Sequence, residues 1–279
     1  TIISAYLNEN GIKNKWLDIR NVIQTDNTYQ NAKVDWETTE KLGQKEIQSR
    51  ILDEKVPVIT QGFIGSSSEL FTTTLGREGS DFSAGILAYC LTAESVTIWK
   101  DVPGMLNADP KWFDDTIKLE NISYLEAVEL AYYGASVIHP KTIKPLQNKN
   151  IPLYIKSFIA PQEEGTLINN ETKKDAAIPS FIFKLNQVLI SISAKDYSFI
   201  MEDNLSDIFG LFSKFGVKIN LMQNSAISFS VGVDFDKNKT MPLINELKKH
   251  YKVLYNKNLE LVTIRHYDNK TIERVVGEK

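Results

Sequence analysis

The feature that most restricts this chain is a change in the order of its elements near residue 160. Up to about Ile159, helix and strand signals alternate. Ile2, Ile3, Tyr6 and Leu7 fall at helical spacing before Gly11, and Val56-Pro57-Val58-Ile59-Thr60 is a short apolar strand running into a glycine-rich loop. Phe82 to Ala93 reads as a helix, Val96-Thr97-Ile98-Trp99 as a strand, and Pro152 to Ile155 as another. Ser123 to Tyr133 is a helix with a capping-box pair, Ser123 and Glu126, and Gly134 as its stop. Such alternation predicts an α/β fold, a three-layer αβα arrangement around a mostly parallel sheet. Sheets of that kind take their ligands at the carboxyl ends of the strands.

Residues 163–180 are polar, with Gly165, paired asparagines, Lys173-Lys174 and Pro179, and read as a connector carrying one short strand. Beyond them the order is different. A strand over 187–194 precedes a helix over 205–215, with Asn204 as its cap and Gly216 as its stop. Strands over 217–222 and 227–235, a helix over 240–251 and a strand over 259–266 follow. The sum is β-α-β-β-α-β, the ferredoxin-like unit. No closing element is evident at Val275-Val276-Gly277-Glu278-Lys279.

Composition narrows the chemistry. At 279 residues and 42% hydrophobic, the chain is long enough for two domains with cores of their own. Its 32 basic and 35 acidic side chains leave a formal charge of −3, which removes a bulk electrostatic argument for nucleic acid. The single cysteine, Cys90, excludes a disulfide framework and a cysteine zinc site, and sits in an apolar run that suits a small buried side chain. The three histidines are scattered, so no metal site is expected. No apolar run reaches the ~18 residues of a membrane span, so no membrane partner is expected. With no signal peptide opening the chain, a cytoplasmic, reducing setting is the expectation.

The chemistry-bearing stretch runs from Gln61-Gly62-Phe63-Ile64-Gly65 through Thr72-Thr73-Thr74-Leu75-Gly76-Arg77-Glu78-Gly79-Ser80-Asp81. Its glycines let backbone approach a ligand closely, its hydroxyls donate, and Arg77 offers a planar fork for a carboxylate or phosphate. A helix starting near Ser80 adds free N–H groups and a positive dipole end. The glycines alone would mark only a tight turn with Ser80 as a cap; Arg77 and the hydroxyls point to an anion site. Neither a Walker A loop nor a dinucleotide fingerprint is present. The second segment, Ile98-Trp99-Lys100-Asp101-Val102-Pro103-Gly104 with Asn107-Ala108-Asp109-Pro110-Lys111, starts at a strand end. There Lys100 and Lys111 could hold phosphates, and Asp101 could accept from a base or ribose. The third is Tyr133-Gly134-Ala135-Ser136-Val137-Ile138-His139-Pro140, in which His139 reads as structural rather than as a base.

In this order the three segments resemble the aspartokinases of the amino-acid kinase family. The family pattern is approximately Thr-Thr-Leu-Gly-Arg-Gly-Gly-Ser-Asp, then Ile-Trp-Thr-Asp-Val-x-Gly-x-Tyr-x-x-Asp-Pro-Arg, then Phe-Gly-Ala-Lys-Val-Leu-His-Pro. Leu17-Asp18-Ile19-Arg20 and Thr25-Asp26 also look like this family, and Gly216-Val217-Lys218-Ile219-Asn220-Leu221-Met222 looks like its regulatory ACT domain. The resemblance implies transfer of the γ-phosphoryl of ATP, with Mg2+, to the side-chain carboxylate of L-aspartate, the first step toward lysine, threonine and methionine. By position it implies Arg77, Ser80 and Asp81 as catalytic and, with Thr74, substrate-binding residues, and Lys100, Asp101, Gly104 and Lys111 as nucleotide-binding residues. It further implies a homodimer through ACT domains, and an effector, lysine or threonine, lined by Met201, Asn204, Asn220, Gln223, Asn224 and Ser225.

The expected division is a catalytic domain over 1–162, shortened at its amino end, the connector over 163–180, and an ACT-like domain over 181–279 with a second ACT unit cut short. The departures from the pattern are specific. The family's Lys-Phe-Gly-Gly-Thr-Ser, whose lysine contacts the transferring phosphate, and its substrate-binding glutamate have no counterpart here. Glu78 replaces a glycine, Lys100 a threonine, Leu106 a tyrosine, Lys111 an arginine and Ser136 a lysine. The expectation is therefore a piece of an aspartokinase, inactive alone. The alternatives are another amino-acid kinase, of the glutamate or acetylglutamate type, and a non-catalytic sensor in which the ACT-like half binds an amino acid.

Overall fold

A computed structural model describes residues 1–48, 55–134, 137–196 and 198–276. Ser136 and Gly277 to Lys279 lie outside the described residues. The chain divides into two compact units, Thr1–Ser180 and Phe181–Lys279. Residues 163–180, expected as a connector, belong to the first unit.

The first unit is α/β, with mixed parallel sheets. Helix α1 (Ile2–Glu9) precedes strand β1 (Lys15–Leu17), β2 (Gln24–Thr25) and helix α2 (Trp36–Gly43). Strands β3 (Val58–Thr60), β4 (Ile64–Ser67) and β5 (Thr72–Thr74) lead into helix α3 (Gly79–Leu91). Strand β6 (Val96–Lys100), strand β7 (Asn121–Ser123), helices α4 (Tyr124–Tyr133) and α5 (Pro140–Asn148), and strands β8 (Leu153–Ser157) and β9 (Thr166–Asn169) complete it. The pairs β1–β3, β2–β4, β6–β8 and β7–β9 are parallel, whereas β4–β5 and β8–β9 are antiparallel. The strand in 163–180 is thus β9, built into the sheet between β8 and β7.

Helix α4 starts as its sequence predicts, with the Ser123 hydroxyl accepting the Glu126 N–H at 3.0 Å, and Gly134 ends it at φ 124°. The Ser123 N–H donates to Asp175 at 2.8 Å, so the return arm of the expected capping box is taken by residue 175. One core of this unit gathers Leu17, Ile19, Val22, Ile23, Leu75 and Ile86 around buried Cys90. Burial pushes the Cys90 thiol pKa up to about 12.

The second unit has strands β10 (Ser180–Ser193), β11 (Ile219–Asn224), β12 (Ser228–Asp234) and β13 (Lys252–Arg265), with helices α6 (Glu202–Lys214) and α7 (Lys237–His250). Its sheet order, β11-β12-β10-β13, with β12 antiparallel to both β10 and β11, is that of the ferredoxin-like unit. Alternate residues Val188, Ile190 and Ile192 face a core shared with Ile208, Phe212, Leu243 and Leu247 of the helices. Two details differ from expectation. Helix α6 begins three residues earlier than predicted, with Met201 at the cap; Asn204 lies inside the first turn, where its Oδ1 accepts the Met201 N–H at 3.0 Å. A final helix, α8 (Asn269–Val276), follows β13, started by Asp268 Oδ1 accepting the Thr271 N–H at 2.8 Å.

Candidate active site

The parallel register sets where the chemistry gathers. Leu17 stands beside Thr60 at the carboxyl ends of β1 and β3, so the next residues, Asp18 and Gln61, meet: Gln61 Nε2 donates to Asp18 Oδ1 at 2.6 Å. Arg20 adds its Nε at 3.0 Å, and this guanidinium, helped by the backbone and Gln61, holds the Asp18 carboxyl at a pKa of about 2. The Arg20 guanidinium also reaches the Thr72 hydroxyl at 3.1 Å, tying the turn after β1 to the start of β5.

Helix α3 begins directly above these strand ends. A Cβ on Gly62 would stand 3.0 Å from Ser80 Cα, and one on Gly79 would stand 2.7 Å from the Phe63 ring. Both glycines are therefore required by close packing of the loop against the helix start. The cap residue is Glu78, in the left-handed region at φ 54°, a position that explains the glycine in the family pattern. Its carboxylate lies 3.9 Å from Arg77 Nε, and its Oε2 is buried with no hydrogen-bond partner among the described residues.

From the first turn of α3, Asp81 reaches across to the end of β6. Lys100 Nζ donates to Asp81 Oδ2 at 2.6 Å, with 25% of the lysine and 12% of the aspartate side chain exposed. The structure thus joins two of the three sequence segments through one ion pair. Arg77, 76% exposed, and Ser80 face solvent beside it. This is a helix N-terminus with an accessible guanidinium and hydroxyl, next to a half-buried opposite-charge pair: an arrangement able to hold a small ligand bearing both signs of charge.

The remaining candidates are placed differently. Thr74 is tied to the 29–32 loop, its N–H donating to Tyr29 O at 2.9 Å. Asp101 and Lys111 are exposed, and the Lys111 N–H donates to Asp109 in a turn. Gly104 is at φ 143°, and a Cβ there would stand 2.6 Å from Thr166 Oγ1, so packing against β9 accounts for this glycine. His139 caps α5, its Nδ1 accepting the Lys141 N–H at 3.1 Å, in line with a structural part. The residues that sequence reasoning left without a role are Asp18, Arg20 and Gln61. Their signal was the short strand Lys15–Leu17, whose pairing with β3 aligns them.

A sequence profile of the amino acid kinase family matches residues 1–157. The chain belongs to the amino acid kinase family. It is 32% identical over 265 residues to the lysine-sensitive aspartokinase 3 of Escherichia coli (strain K12), covering 92% of this chain and 58% of that protein. The crystal structure of E. coli aspartokinase III with aspartate and ADP, in its R-state, superposes with a TM-score of 0.81 at 30% identity, covering 99% of this chain and 64% of that one. The T-state complex with lysine and aspartate gives a TM-score of 0.78 over 98% of this chain and 63% of that one. This amino acid kinase chain therefore spans less than two thirds of the length of these relatives.

In the second unit of this family member, the Ile200 N–H donates to Ala226 O at 3.0 Å. That bond brings Met201 and Asn204 together with the turn at Asn224 and Ser225, and Gln223 is exposed on the same strand end. Asn220 sits at the other end of β11, about 13 Å away at ~3.3 Å per residue. Its side chain is committed there: Nδ2 donates to Gln187 and Asp234, each at 2.9 Å, and Oδ1 accepts from Lys184. No helix among the described residues is long and apolar enough to cross a membrane.

Proposed function

We propose that this chain is part of an aspartate kinase, which transfers the γ-phosphoryl of ATP to the side-chain carboxylate of L-aspartate and releases ADP and 4-phospho-L-aspartate. The observation that carries the reading is the Asp81–Lys100 pair at the foot of α3, with Arg77 and Ser80 open beside it. Aspartate presents two carboxylates and one ammonium. Arg77 suits a carboxylate bidentately, the α3 N–H groups and Ser80 suit a carboxylate oxygen, and Asp81, through the oxygen that Lys100 does not take, suits an ammonium. Phosphoryl transfer depends mainly on positioning and on neutralising charge, which Lys100 supplies from the neighbouring strand end. The likeness to an aspartokinase crystallised with aspartate and ADP supports the same reading.

Among the described residues no group of three histidine, cysteine or acidic side chains converges that could hold a metal ion. We read Mg2+ as arriving with the nucleotide phosphates, its usual mode in kinases, and assign it no protein ligand here. For the second unit we propose pairing between chains along the exposed edge strand β11, where Leu221 and Met222 are 52% and 58% exposed. The effector expected is lysine or threonine, at the end formed by Met201, Asn204, Asn224 and Ser225.

The test uses the complete protein, with 4-phospho-L-aspartate trapped by hydroxylamine. Aspartate- and ATP-dependent hydroxamate is expected, and Arg77→Ala should weaken aspartate use by about 2–5 kcal/mol while leaving nucleotide affinity nearly unchanged. A preference for glutamate or acetylglutamate would move the chain to another kinase type. Lysine or threonine binding without any ATP binding would make it a sensor. For the second unit, a monomer in sedimentation with no calorimetric response to lysine or threonine would overturn the regulatory reading.

A further inference from the structure

A cleft of about 570 Å3 opens on the first unit between α2, α3 and α5. Three aromatic side chains build its wall. Trp36, at the start of α2, stands edge-on to Phe82 and Tyr89 of α3, with ring centroids 6.3 and 5.2 Å away. Phe82 and Tyr89 are seven residues apart and so share one helix face. Between them, Gly85 lets α5 come close: a Cβ there would stand 3.0 Å from Thr142 O and 3.6 Å from Pro145 Cγ. The cleft forms beside that contact, with Pro145 in its lining.

The rim has one sign of charge. Lys33, Lys141 and Lys144 line the cleft, and no carboxylate does among the described residues. Among the described residues the Lys141 side chain donates to the Asn31 amide oxygen, Lys144 is exposed with no carboxylate partner, and Lys33 feels Asp26, which stands outside the lining. Lys149, which lies over the Tyr89 ring at 4.0 Å, is already neutralised by Glu40 at 2.6 Å and is not part of this excess. The volume is that of a small-molecule site, since such pockets run ~300–1,000 Å3 and pair apolar walls with a few placed polar groups.

We infer that this cleft binds a small amphiphilic anion, an aromatic or branched apolar body carrying one carboxylate, sulfonate or phosphate. The aromatic wall takes the body, and the three lysines take the head. Asp81 and Lys100 are not in its lining, although Phe82 and Asn31 adjoin the turn and helix start that carry Arg77 and Asp81; its occupation requires neither aspartate nor nucleotide.

The test is calorimetry on the complete protein, without either of those ligands, using three isosteric probes: 4-phenylbutyrate, 4-phenyl-1-butanol and 4-phenylbutylamine. The acid should bind about tenfold more tightly than the alcohol, and the amine most weakly. Lys33→Ala and Lys144→Ala, both at exposed positions, should each weaken the acid by about three- to fivefold and leave the alcohol unchanged. A thermal melt matching the unaltered chain will show that the variants are folded. Equal affinity for acid and alcohol, preference for the amine, acid binding indifferent to both lysine substitutions, or no saturable heat from the acid at millimolar concentration would each overturn the inference.

Discussion

Replacing Lys100 and Asp81, singly and together, tests the contact on which the site is organised. At 2.6 Å the attraction of two unit charges is about 6 kcal/mol at an effective dielectric of 20 and about 1.6 kcal/mol at that of water. The lysine is one quarter exposed, so screening and desolvation remove most of the larger figure. A net coupling of about 1–2 kcal/mol remains. Lys100→Met should destabilise the first unit by about 1–2.5 kcal/mol, because Asp81 is left nearly buried without its cation. Asp81→Asn should cost a similar amount, and the double variant less than the sum. All four tryptophans lie in the first unit, so urea titration followed by tryptophan fluorescence reads that unit alone. Additivity of the single effects within about 0.5 kcal/mol would mean that the two side chains do not sense each other, and the argument built on their pairing would fall.

Three further outcomes are expected. Because the folded pKa of Asp18 lies near 2, below its ordinary 3.8, its contribution to stability is present above about pH 4 and lost as pH falls through 2. The stability gap between the unaltered chain and Arg20→Gln should therefore be constant at neutral pH and shrink below pH 4 in acid unfolding curves; a gap indifferent to pH would refute the ion-pair origin. Cys90, its pKa about 12, should resist an aromatic disulfide reagent at pH 8 in the native chain and react fully once unfolded; rapid native reaction would show that the helix layer is open. Gly165 sits at φ 75°, where a Cβ would fall 2.1 Å from Ile155 O, so Gly165→Ala should cost more than about 2 kcal/mol by fluorescence-detected unfolding, and a neutral result would reject the β8–β9 junction.

Local signals carried the fold as far as they reached. Helix α4 could be read because a hydroxyl, a spacing of three and a glycine each act within one turn. The ferredoxin-like order was legible for the same reason. The long strands β10 and β13 were read only from residues 187 and 259 onward, just past Asn186 and Asn258. Those asparagines, at φ 55° and 56°, punctuate the sequence as strand ends would, yet the strands run through them. Helix α8 had local signals too: Asp268 stands three residues before Thr271, and Ile272, Val275 and Val276 keep helical spacing. What could not be read was pairing across distance. Nothing near Asp18 announces Gln61, 43 residues on, and nothing near Asp81 announces Lys100, 19 residues on. Both contacts follow from strand register and helix placement, which no short window contains.

This explains why the glycine-rich turn was the segment that spoke most clearly of function. Its residues are constrained twice, by what they touch and by what they leave open. Gly62, Gly65 and Gly79 are held by backbone or ring atoms 2.7 to 3.0 Å from where a Cβ would stand, so the loop has one arrangement. Within that arrangement Arg77 is left outside and Asp81 is turned inward to Lys100. Arg20, by contrast, is drawn onto Asp18 at 3.0 Å. Arg77 stays 3.9 Å from Glu78, whose other oxygen has no hydrogen-bond partner among the described residues. A turn that holds Arg77 short of full neutralisation leaves its guanidinium open to an anion, as the proposed aspartate site requires.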